Sequence, residues 1–147
     1  MNRLIRELLL NNYIMPREII TVQVGQCGNQ IGLRFWDLAL REHVKYNKDM
    51  VYDDALSSFF RNVDGKKGAA GDLSTGSLIN DLKARAIIVD MESGVIDKKI
   101  LGGELRDLFD QKMILTDQVG SGCGNNWAQG HMEYGPQYRE TIENQVR

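Results

Sequence analysis

A chain of 147 residues with 42% hydrophobic side chains has enough length and apolar content for one domain with a core, which excludes disorder throughout. Lysine and arginine number 18 against 20 aspartates and glutamates, a net charge of −2, so the composition carries no nucleic-acid footprint. Two cysteines, Cys27 and Cys123, and two histidines, His43 and His131, lie at no metal-ligand spacing; a zinc site or histidine-based triad lacks its parts, and the thiols read as reduced, in a cytosolic protein.

Residues 1–14 form a short amphipathic leader ahead of a second methionine, Met15. The run Leu8 to Leu10 is too short for a signal-peptide core, and Glu7 interrupts it. No stretch approaches the roughly 20 apolar residues of a membrane span. The remainder, residues 15–147, reads as one soluble, cytoplasmic domain.

Glu18 to Val24, "EIITVQV", is β-branched and ends at glycine, which predicts a strand covered on both faces in a parallel sheet. Asn29 to about Tyr46 follows as a helix, with Ile31, Phe35, Leu38 and Ala39 at helical spacing as its buried stripe. Val51 to Phe60 fits a short helix. Arg61 to Asn80, rich in glycine, serine and charge, reads as a mobile surface loop. "RAIIVDM", Arg85 to Met91, is a second buried strand ending in acids. A helix around Gly103 to Phe109 and a short third strand, Met113 to Leu115, come next. After a second glycine-rich loop, Asp117 to His131, Pro136 marks the first position of a helix running to Val146. The order strand, loop, helix, repeated, predicts an α/β fold with a Rossmann-like doubly wound parallel sheet, cut after about three strands.

Three loops carry the chemistry. "GQCGNQIG" places Gly25, Gly28 and Gly32 between a strand and a helix, where backbone N–H groups meet phosphates. The spacing is neither the dinucleotide G-x-G-x-x-G, which argues against an oxidoreductase, nor a lysine-bearing P-loop. On that loop alone the glycines have a second reading, as residues that merely turn the chain. Asp90 and Glu92 close the second strand on one side of the extended chain and read either as Mg²⁺ ligands or as a solvated acidic pair. The third loop offers Gly120, Ser121, Gly122, Gly124 and Asn125. Three such loops at strand ends point to a polyphosphate pocket.

"GQCGNQIG", "DMESGVID" and "GNNWAQGH", in that order, resemble the tubulin family from Arg17 to the end of the chain. "FWDLALREH", "SSFFRNVD" and "LKARAIIVDME" look like the family's epsilon branch rather than its alpha or beta branches. The resemblance implies a GTP-binding cytoskeletal protein of centrioles, basal bodies and the microtubule organising centre, with tubulin-family subunits or centriolar proteins as partners and neither nucleic acid nor membrane among them. It implies that Gln26 and Cys27 contact phosphates, metal or the guanine side, that Asp90 and Glu92 stand near Mg²⁺ and the γ-phosphate, and that Gly124 and Asn125 approach that phosphate. Apart from the resemblance, Cys27 also reads as a small buried thiol, and Trp127 reads as a packing anchor for its loop. Against the family's "GSGNNW" this chain has "GSGCGNNW", two residues longer.

The sequence given stops before the family's "GGGTGSG" signature and before the region whose carboxylate activates the hydrolytic water, so no catalytic residue is assigned. The expectations that follow are weak or absent binding of GTP, GDP and Mg²⁺ by the isolated polypeptide, an open apolar edge on the first strand, and poor solubility or marginal stability. A non-catalytic tubulin-like interaction module without a GTPase cycle is the alternative reading.

Overall fold

The computed structural model describes residues 18–64, 71–117 and 122–146. The leader and the third-loop residues Gly120 and Ser121 lie outside them.

Strand β1 (Thr21–Val24) runs directly into helix α1 (Gly25–Tyr46). A short helix α2 (Asp54–Phe59) leads into β2 (Phe60–Val63), which pairs antiparallel with β3 (Asp81–Ala84). The chain then enters β4 (Ala86–Asp90), turns through α3 (Ser93–Val95) into a π-helix (Ile96–Leu101), and reaches β5 (Ile114–Thr116). The last rod begins as α4 (Trp127–Gln129), passes through a π-helical segment (Gly130–Tyr134) and ends as α5 (Gly135–Val146).

The main sheet has the order β1–β4–β5, parallel throughout, with Val24 opposite Val89 and Asp90 opposite Thr116. Parallel neighbours separated by helical connections make this the expected α/β arrangement, in which the strands' carboxyl ends share one rim. The expected strands are present with shifted ends. Two hydrophobic expectations change. Coverage of β1 on both faces does not hold among the described residues, because Val22 and Val24 are 49% and 62% exposed. The buried line of α1 is Asn29, Gly32 and Trp36, whereas Ile31 and Leu38 face outward at 64% and 62% exposure. Both lines have helical spacing. The helix settles on the one carrying a glycine, since a Cβ at Gly32 would lie 2.0 Å from Oε1 of the buried Gln23.

Behind α1, Trp36 is completely buried, with Phe35 and Phe60 edge-on to it at 4.9 and 5.3 Å between ring centroids. Ile88, Ile96, Ile100 and Leu108 join the same core. The segment expected to be loop from Arg61 supplies strand β2 instead. Its Asn62 is fully buried, donating to the Leu78 carbonyl at 2.9 Å and accepting from the Asn80 N–H at 2.8 Å. Those bonds give the return of the hairpin backbone its partners, as a buried amide must. The helix expected around Gly103 to Phe109 is reduced to one 3₁₀ turn at Arg106–Leu108, and the apolar Ile96 and Ile100 upstream are buried by the π-helix. The final helix starts at Trp127, well before Pro136.

Candidate functional site

At the junction of β1 and α1, Gly25 has φ +71°, a left-handed value that a side chain disfavours. This turn carries the chain from strand to helix without a linker. Val24, at the cap position, gives no side-chain hydrogen bond, and the first turn of α1 contains no acidic residue. The amides of the first turn lack intrahelical acceptors and carry the positive end of the helix dipole.

The second loop is shaped by Asp90, 9% exposed at the end of β4. Its Oδ1 accepts the N–H of Glu92 at 3.0 Å, while its Oδ2 is buried without a protein partner. That bond folds the loop and leaves the side chain of Glu92 exposed. The two carboxylates therefore differ, one anchored and one free to turn.

In the third loop Gly122, Gly124 and Asn125 all have left-handed φ, +62°, +57° and +58°. Asparagine is among the few residues with a side chain that adopt this conformation. The loop docks on the second through the Gly122 N–H and the Met91 carbonyl, 3.3 Å apart. Asn126 then caps α4, its Oδ1 accepting from the N–H groups of Ala128 and Gln129. This cap was legible as an asparagine before helix-forming residues and was missed because Pro136 offered a stronger start signal. Trp127 is 75% exposed and stacks on His131 with centroids 4.6 Å apart; it does not anchor its loop by burial.

The three loops surround one cleft of about 740 Å³. Gln26 from the first loop, Asp90 and Glu92 from the second, and Gly124 and Asn125 from the third all line it. Cys27 does not; it stands one residue farther along α1 with its side chain exposed. Cys123 and His131 line the cleft although sequence reasoning gave them no role there. Among the described residues no lysine or arginine lines the cleft, and no three side chains of metal-ligating type are grouped to hold an ion by themselves. The arrangement can present backbone N–H groups and two carboxylates to a charged ligand.

The sequence pattern of the Tubulin/FtsZ family, GTPase domain, matches residues 18–147. The chain belongs to the Tubulin/FtsZ family. It is similar to the tubulin epsilon chain of Mus musculus, 57% identical over 129 residues, and to that of Homo sapiens, 54% identical over the same length. Each match covers 87% of this chain and 26% of the relative, so the chain spans about a quarter of the length of the curated relatives it matches. All three loops of this Tubulin/FtsZ domain fall inside the matched residues. Among the described residues no helix is long and apolar enough to cross a membrane.

Proposed function

We propose that this chain binds GTP or GDP by its phosphates, with Mg²⁺ between the nucleotide and the second loop, as part of an epsilon-type tubulin of the cytoskeleton. One observation carries the reading: Gln26, Asp90, Glu92, Gly124 and Asn125 share one cleft, which among the described residues is lined by no lysine or arginine. The first-turn amides of α1, which have no intrahelical acceptor, suit phosphate oxygens, and so does the left-handed backbone at Gly124 and Asn125. Two carboxylates on the same rim would repel those oxygens unless a divalent cation stood between them. Mg²⁺ suits the donor set, since it is typically held by one or two carboxylates together with phosphate oxygens and waters. The buried, unpartnered Oδ2 of Asp90 and the free carboxylate of Glu92 are the groups to meet it or its waters. Gln26, at the start of α1, is the residue to face the rest of the nucleotide. Tubulin-family subunits are the proposed partners, and centrioles and basal bodies the proposed location.

Binding of labelled GTP to the whole chain, with Mg²⁺ and with a chelator, tests the reading. The expected result is weak binding that GDP competes and the chelator weakens further, with Glu92→Gln reducing the effect of Mg²⁺. Binding no stronger than that of guanosine would overturn it.

A further inference from the structure

Asn29 lies in the second turn of α1 and is completely buried. Its Nδ2 reaches out of its own helix to donate to the carbonyl of Val89 at 3.4 Å, while its Oδ1 is buried with no protein partner. Asparagine is a weak helix former, and burying half an amide unpaired costs free energy that leucine of similar size would not. Stability is therefore a poor reason for this residue.

Its location supplies a better one. Val89 directly precedes Asp90, whose carboxylate shapes the second loop. Three residues after Asn29 on the same face of α1, Gly32 presses the helix onto Gln23 of β1, an amide that is itself 3% exposed. So α1 is docked at two points, on β1 through Gly32 and on β4 through Asn29. Gly25 and Gln26, at the head of its first turn, line the cleft, while Gly28 lies against the backbone of Gln23.

We propose that Asn29 is a positioning residue of the nucleotide site. It holds the first loop's amides at a fixed separation from the carboxylates of the second loop, so that one polyphosphate can engage both. The inference rests on the guanine-nucleotide reading above. It predicts that Asn29 matters for a ligand long enough to span the loops and not for one that touches a single loop.

The test compares GTP with GMP in Mg²⁺ titrations of the whole chain, wild type and Asn29→Leu. Wild type is expected to prefer GTP. In Asn29→Leu the affinity for GTP should fall about tenfold, the weight of one hydrogen bond, while that for GMP is kept. Amide exchange at Asp90 to Glu92 should quicken in the variant, with Ala86 to Ile88 unchanged. Equal weakening of GTP and GMP, or unchanged GTP binding, overturns the inference and leaves the nucleotide reading standing. A wild type without preference for GTP overturns both. Should Asn29→Leu not fold, Asn29→Ser, too short to reach the Val89 carbonyl, is read by the same outcomes.

Discussion

The cleft has two unlike walls. One is built from the ends of β1 and β4 with the start of α1, where Gln23, Asn29 and Asp90 are buried and side chains interlock across elements. The other is the loop Gly122 to Trp127, whose residues from Gly124 onward are exposed and whose shape rests on left-handed backbone, one cap and one contact to Met91. The first wall is determined by packing and the second by local conformation.

Substitutions on each wall should separate these roles. The largest effect belongs to Gly32→Ala: the new methyl would stand 2.0 Å from Oε1 of the enclosed Gln23, so the Gln23 amide must leave its buried place, at about 1–3 kcal/mol in chemical denaturation. A loss below roughly half a kilocalorie would show that this wall is as adaptable as the other. The packed body behind the wall gives a pH handle. The Tyr52 hydroxyl donates to the Phe60 carbonyl at 2.8 Å, and burial raises its pKa above the usual 10.0, although nearby Arg85 opposes this. The folded state holds that proton more tightly than the unfolded chain. Its contribution is therefore complete below about pH 10 and is lost as pH rises toward the folded value. Tyr52→Phe should cost about 1–3 kcal/mol at neutral pH, by leaving the carbonyl unpaired, and should flatten the alkaline decline.

On the loop wall, Asn126→Ala removes the cap of α4 and should cost about 1 kcal/mol, with loss of helicity at the head of the rod. Trp127→Ala should change stability by less than about 0.5 kcal/mol, since the ring is 75% exposed. A larger cost would mean that its stacking on His131 organises the loop after all.

Much of the first wall was legible in advance. The β-branched run before Gly25 and the "AIIVD" run before the acids mark strands because few other arrangements bury such segments, and parallel pairing followed from the helices between them. The cleft residues Gln26, Asp90, Glu92, Gly124 and Asn125 were legible through strand-end geometry and the family resemblance together. What failed did so for identifiable reasons. The buried face of α1 escaped because periodicity counts apolar residues, whereas the helix packs on Asn29 and Gly32, one polar and one without a side chain. Strand β2 escaped because Arg61 and Asn62 are polar; only the tertiary partners of the Asn62 amide show that it is inside. The start of the last helix escaped because π-helical turns at Gly130–Tyr134 carry it through a glycine-containing stretch that reads as loop.

That unbroken rod also has a mechanical meaning. From Trp127 to Val146 it extends roughly 30 Å as consecutive helical segments, the middle one π-helical. Near its far end the Gln145 amide grips the Lys112 carbonyl just ahead of β5 at 2.8 Å. The loop that lines the cleft is thus continuous with a helix whose far end is tied, ahead of β5, by one hydrogen bond, so the two ends of the rod are held by different parts of the fold.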